Sequence, residues 1–118
     1  MKPSLEQKLI KKYPKLFKQT FLPETESCMY WGIAVEDGWY DIIAELCKEL
    51  SQFPEVEFAQ IKNKFGLLRV YIDNPNPEAD LLIQEAEMKS QYTCEICGDP
   101  GKQEGWRVRC EKCTGEKI

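Results

Sequence analysis

The pattern of apolar and polar residues predicts three amphipathic helices, because apolar side chains recur at intervals of three and four residues. The first helix begins near Ser4, which has the spacing of a capping box with Gln7, and it ends before Pro14. Its apolar face is expected to pack on a core, while lysines occupy the rest of its surface. The second helix covers residues 38–51, with Asp37 as its predicted cap.

The third helix begins at Asn76 and Pro77, which provide a cap and a proline suited to the first helical turn, and it ends near Ser90. Strands are predicted in two other places. Residues 28–35 contain no charge, which is typical of a buried strand. Residues 56–72 contain two apolar runs around a glycine turn and predict a β-hairpin. Helices and a hairpin together predict an α+β fold.

Four of the six cysteines occur as two Cys-x-x-Cys pairs separated by twelve residues. The four are Cys94, Cys97, Cys110 and Cys113. Each pair places two sulfur atoms on one side of the backbone, and two pairs complete the tetrahedral shell that zinc prefers. A redox dithiol or an iron–sulfur cluster is the alternative, but the βαβ pattern that accompanies a redox motif is absent here. Residues 91–118 are therefore predicted to be a zinc ribbon with four cysteine ligands, which follows a core of residues 1–90.

The sequence also argues against catalysis. An all-cysteine shell leaves no open position for water or substrate, so the Zn²⁺ ion is predicted to be structural. The chain contains no histidine, which removes the most common general base at neutral pH. Glu36 and Asp37 are a candidate acid–base pair, but a solvated helix start explains them more simply. Cys28 and Cys47 have no partner at ligand spacing and are expected to be buried and inert.

Charge and hydropathy suggest where the protein acts. The chain has no apolar run long enough for a membrane span or a secretion signal, so a reducing cytoplasm is expected, where paired cysteines favour metal over disulfides.

The net charge is −4, yet residues 1–20 contain six lysines against one glutamate. Residues 21–60 reverse this balance, with nine acidic residues against one lysine. The molecule is therefore predicted to be dipolar, with a basic N-terminal end.

Three blocks of the sequence resemble small zinc-ribbon proteins that bacteriophages and prophages encode, most of which are functionally uncharacterised. The blocks are residues 37–40, residues 64–71 and the cysteine segment 94–113 with its Gly105-Trp106 step. The resemblance implies a phage-encoded protein that acts in the cytoplasm of a bacterial host. It further implies an accessory role in which the protein binds and neutralises a host factor.

Two functions are consistent with these features. The first is a non-catalytic binding protein that inhibits a host defence factor or sequesters a small nucleotide-like ligand. Its predicted contact residues are of the types that dominate binding hot spots. They are Trp39, Tyr40, Arg69, Tyr71, Trp106 and Arg107. The simpler interpretation is that Arg69 pairs with an acid of residues 36–49 and that the aromatic side chains complete the core.

The alternative function is a nucleic-acid-binding regulator that uses the basic first helix and the zinc ribbon. The phosphate contacts would come from N-terminal lysines, with Arg107 and Arg109 near the zinc module. These lysines are Lys8, Lys11, Lys12, Lys15 and Lys18. Residues 94–118 contain five basic and five acidic side chains before the zinc site adds its own negative charge, and this balance disfavours phosphate. Any binding of DNA or RNA is therefore expected to be weak and to be lost at moderate salt.

Overall fold

The computed structural model describes residues 1–115, and these residues form the mixed α+β fold that the sequence predicts. The helices are α1 (Pro3–Lys12), α2 (Tyr40–Leu50), α3 (Pro77–Ser90) and α4 (Glu111–Gly115). The strands are β1 (Ile33–Ala34), β2 (Glu57–Lys64), β3 (Leu67–Asp73), β4 (Lys102–Glu104) and β5 (Arg107–Arg109). The last three residues of the predicted module 91–118 lie outside the described residues.

The predicted hairpin is confirmed and forms most of the main sheet. Strands β2 and β3 are antiparallel, and β1 adds to the other side of β2 in parallel, with Ile33 opposite Ile61. Phe65 and Gly66 form the two-residue turn, with φ angles of 55° and 91°. Turns with positive φ at both positions match the twist of the flanking strands, but they favour Asn and Gly. A bulky residue in Phe65's conformation costs roughly 1–3 kcal/mol.

Helix α3 packs against β3 of this sheet, and α2 packs against α3. The buried side chains of the hairpin alternate along β3, where Leu68 and Val70 point inward. The free edge of β3 is closed by α3, because the Leu68 amide donates to Ser90 Oγ at 3.1 Å and the Val70 amide donates to Glu87 Oε2 at 3.1 Å. An edge strand whose amides already donate to side chains has fewer free amides with which a strand of another molecule could pair.

The strand predicted for residues 28–35 is wrong in its first half. Residues Cys28–Trp31 form a 3₁₀ helix, and only Ile33 and Ala34 pair as a strand. The cause is local: Ser27 Oγ accepts a hydrogen bond from the Met29 amide at 3.1 Å and so caps a helical turn. Gly32 then reverses the chain with a φ of 73°. The uncharged run therefore includes exposed as well as buried side chains.

The predicted helix starts are confirmed at α3 and wrong at α1 and α2. Asn76 caps α3, since its side chain accepts from the Ala79 amide at 2.9 Å. Ser4 caps nothing, because α1 already begins at Pro3. Helix α2 begins at Tyr40, after a 3₁₀ turn over Asp37–Trp39, and Asp37 does not cap it. The Asp37 carboxylate instead accepts from the Lys2 amide at 2.7 Å.

Candidate metal centre

The two Cys-x-x-Cys pairs lie in turns that bring their sulfur atoms together. All four Sγ atoms lie within 4.8 Å of one another, and those of Cys97 and Cys110 are 3.5 Å apart. A tetrahedral zinc site with 2.3 Å bonds would have sulfur–sulfur separations of about 3.8 Å. Gly98, at a φ of 84°, turns the first pair so that its amide donates to the Cys94 carbonyl at 2.9 Å. The four cysteines can therefore hold a metal ion.

Backbone amides prepare one of these thiols to ionise. Burial opposes ionisation of Cys94, but hydrogen bonds from the amides of Cys97, Cys110 and Ile96 outweigh it and lower its pKa to about 6. The pKa of Cys113 is raised by its hydrogen bond with the Cys110 sulfur, by burial and by the neighbouring Cys94. Crowded thiols cannot all ionise unless a cation balances them. This arrangement is typical of a site that gains its other thiolates with the metal.

The pKa of Cys97, the most exposed of the four cysteines, is also raised. The Asp99 amide favours the Cys97 thiolate, but loss of hydration and hydrogen bonds with the sulfur atoms of Cys110 and Cys94 outweigh it and raise the pKa of Cys97. In the absence of a cation, Cys97 therefore remains protonated at neutral pH, as Cys113 does.

Metal binding is accordingly expected to release at least two protons per ion near neutral pH, from Cys97 and Cys113. Protons compete with the metal below the pKa values of these thiols, so the affinity should fall about 100-fold for each unit by which the pH is lowered, for two protons. Zinc titration in weakly buffered solution with a pH indicator measures the release. A release of less than one proton per ion would contradict this assignment of protonation states.

The ligand loop, which we define as residues 93–98, is joined to the core just before α2 by two hydrogen bonds. The Gly38 amide donates to the Glu95 carbonyl at 2.8 Å, and Trp39 Nε1 donates to the Thr93 carbonyl at 2.9 Å. A Cβ atom at Gly38 would lie 2.3 Å from the Cys94 carbonyl oxygen, so only glycine allows this approach. The first ligand pair is therefore packed directly against the start of a core helix.

A buried carboxylate extends this connection to the hairpin. Glu95, only 4% exposed, accepts from Asn63 Nδ2 at 2.7 Å and from Arg109 Nε at 3.1 Å. Asn63 Oδ1 in turn accepts from the Gly66 amide at 2.9 Å, which fixes the β2–β3 turn. The paired guanidinium and amide compensate for the burial of the charge. Neither Glu95 nor Asn63 is among the residues predicted from the sequence, and the position of Glu95 between two ligands was the one available signal.

The aromatic tip, which we define as Phe65 and Trp106, is a pair of exposed aromatic side chains at the metal module, which we define as residues 91–115. Phe65 is 59% exposed and Trp106 is 73% exposed, and their ring centroids lie 5.3 Å apart. The turn between β4 and β5 packs closely against the turn of the β2–β3 hairpin. A Cβ atom at Gly66 would lie 2.4 Å from the Trp106 carbonyl carbon. Arg107, also exposed, follows Trp106. The metal module thus supports this tip from one side.

The other predicted contact residues do not form one surface with the tip. Trp39 is fully buried, so its predicted place on a binding surface is wrong: its ring fills the core. Tyr40 is half-buried and lines a groove between α1 and α2. Arg69 and Tyr71 lie on the outer face of the hairpin, where Arg69 Nη1 is 3.7 Å from Glu87 Oε1. The partner of Arg69 is therefore on α3, and not among residues 36–49.

The remaining two cysteines differ from each other. Burial raises the pKa of Cys47 to about 12, as expected of an inert core thiol. Cys28 is exposed, so its predicted burial is wrong: the 3₁₀ helix that replaces the strand turns its side chain outward.

Native alkylation of the metal-bound protein is therefore expected to modify Cys28 alone, whereas chelator and denaturant together should expose all six cysteines. Intact-protein mass spectrometry counts the adducts. A Cys28→Ser variant should give none under native conditions, and rapid native labelling of Cys47 would contradict the described core.

Comparisons with family models, with curated proteins and with solved structures give no significant match to this chain. The resemblance to phage-encoded zinc-ribbon proteins therefore stays a prediction from the sequence. Within residues 1–115, no helix combines the length and the apolar character that crossing a membrane requires.

Proposed function

We propose that the protein is a non-catalytic binding protein whose structural zinc ion fixes an exposed recognition surface. The most direct support is a series of hydrogen bonds that connects the metal-ligand segment to the exposed turn of the hairpin. Glu95 lies between Cys94 and Cys97 and bonds to Asn63, which holds the turn that bears Phe65. Four cysteines occupy all positions of a tetrahedral site, so the ion holds structure and does not bind substrate.

The metal is proposed to be zinc because two Cys-x-x-Cys pairs are a common ligand set of structural zinc sites, and the four sulfur atoms lie within 4.8 Å of one another. Metal analysis of the purified protein should find about one zinc ion per chain. Cys28→Ser is the matched control and should keep full occupancy. Full occupancy in a Cys110→Ser/Cys113→Ser variant, or the absorption bands of an iron–sulfur cluster, would refute the assignment.

The partner proposed from the resemblance is a host factor or a nucleotide-like ligand in the cytoplasm of a phage-infected bacterium. The support from the fold is the aromatic tip, where two rings on adjoining turns are exposed and Phe65 has a strained backbone conformation. Purification of the native protein and of a Phe65→Ala/Trp106→Ala variant, with mass spectrometry of retained proteins, small molecules and nucleic acids, tests the binding function. If the native protein retains nothing beyond what the variant retains, the binding function is wrong.

A further inference from the structure

The outer face of the hairpin near its turn is basic, although the protein as a whole is acidic. Residues 58–72 contain Lys62, Lys64 and Arg69 and no acidic side chain, in a chain with a net charge of −4. Alternation along the strands places these three cations on the face opposite the buried Ile61 and Leu68. A concentrated positive face on an acidic protein favours an anionic partner.

Repulsion between these cations lowers the stability of the hairpin. Lys62 lies directly opposite Arg69 in the antiparallel ladder, and like charges in that position repel each other. Glu87 accompanies Arg69 at 3.7 Å, but no ion pair of the described chain includes Lys62 or Lys64. A bound anion would relieve this repulsion.

Aromatic rings lie at both ends of the same face. The aromatic tip closes one end, and Tyr71, 43% exposed, lies on β3 toward the other, beside Gln60. From Leu67 to Tyr71 the strand extends about 14 Å, and the aromatic tip lengthens the face beyond the turn, which leaves room for a few nucleotides. Exposed rings beside a row of cations suit a single-stranded nucleic acid, because bases stack on the rings and phosphates contact the cations.

We propose that this face, made of Lys62, Lys64, Phe65, Arg69, Tyr71 and Trp106, binds single-stranded DNA or RNA without strong sequence preference. The inference rests on the proposed binding function and names its partner. A duplex fits less well, since its stacked bases cannot reach the rings and the face presents no helix to a groove. The charge pattern favours nucleic acid over a protein partner.

The site differs from the one expected from the sequence, which assigned phosphate contacts to the first helix. Lys8 and Lys12 of α1 line a groove whose opposite wall on α2 includes Asp41 and Glu45. These acids repel phosphate, whereas residues 58–72 of the hairpin contain no acid. The two sets of lysines can therefore be tested against each other.

Fluorescence anisotropy of a labelled oligothymidylate of about 12 nucleotides, at low salt, tests the proposal with the zinc-bound protein. Lys62→Ala/Lys64→Ala should weaken binding about tenfold and reduce the slope of log affinity against log salt by about 1.4, the effect of two lost phosphate contacts on a single strand. Trp106→Ala should weaken binding about tenfold through lost stacking, and Trp106→Phe should restore most of it. Unchanged thermal midpoints and zinc content confirm that the variants are folded.

The matched control is Lys11→Ala/Lys15→Ala, which removes two exposed lysines from the N-terminal region and should leave affinity within about twofold. An equal or larger loss in this control would overturn the proposed face. Equal affinity for a duplex of the same length would also overturn it. If the native protein binds no oligonucleotide but retains a protein or small ligand through the aromatic tip, the nucleic-acid proposal is wrong while the binding function stands.

Discussion

Removal of the metal ion is expected to lower the free energy of unfolding of the whole protein by at least about 3 kcal/mol and the melting temperature by about 10 °C or more. The short segment after α3 buries little apolar surface of its own, and without a cation its thiols repel one another once ionised. Because Val108 of this segment belongs to the main hydrophobic core, loss of its structure should propagate to the hairpin.

Thermal unfolding of the zinc-bound protein with and without chelator measures this effect, and a Cys110→Ser/Cys113→Ser variant should melt like the chelated form. Cys28→Ser controls for loss of a cysteine outside the site and should melt within about 2 °C of the native protein, as surface substitutions do. Coincident melting of native and doubly substituted protein would show that the metal does not stabilise the fold.

The elements that could be predicted from the sequence are those with strong local signals. Asn76 followed by Pro77 specifies a helix start through bonds within one turn, and α3 begins there. The hairpin and the cysteine cluster follow likewise from a glycine turn and from ligand spacing, which need little knowledge of the rest of the chain. The identity of the ion is a separate matter, because cysteine spacing fits more than one sulfur-bound centre.

Two of the failures came from contacts between residues distant in the chain, whereas the strand predicted for residues 28–35 failed for the local reason given by Ser27. Trp39 was expected on a surface because aromatic residues are frequent in binding sites, but its indole donates to Thr93, far along the chain, and the ring is enclosed. Glu95 has the composition of a solvated residue, and only the fold brings Asn63 and Arg109 to it. Periodicity identifies which face of an element is apolar, and it does not identify the neighbour that face meets.

Substitution of Gly38 is expected to have the second large effect on stability, because the backbone of the ligand loop lies directly against this residue. In Gly38→Ala the new Cβ would lie 2.3 Å from the Cys94 carbonyl oxygen and 2.5 Å from the Glu95 carbonyl carbon, and both are backbone atoms that cannot rotate away. The loop must therefore move, which should lower the free energy of unfolding by about 2–3 kcal/mol. The displaced Cys94 should also weaken zinc affinity about 10- to 100-fold, as loss of support for a ligand does.

Gly105→Ala is the matched control because it separates backbone strain from collision. Gly105 has a φ of 63°, but no atom of the described chain lies within 4 Å of the position that its new Cβ would take. Gly38, in contrast, has a φ outside the left-handed region and a crowded site. The control should therefore lose only about 1 kcal/mol, the cost of a left-handed conformation, and should keep its zinc affinity. Urea denaturation and competition with a zinc-binding dye measure the two quantities. If Gly38→Ala and Gly105→Ala are equally stable and bind zinc equally well, the close approach of α2 to the ligand loop does not position the metal centre, and Glu95 with its partners must do so alone.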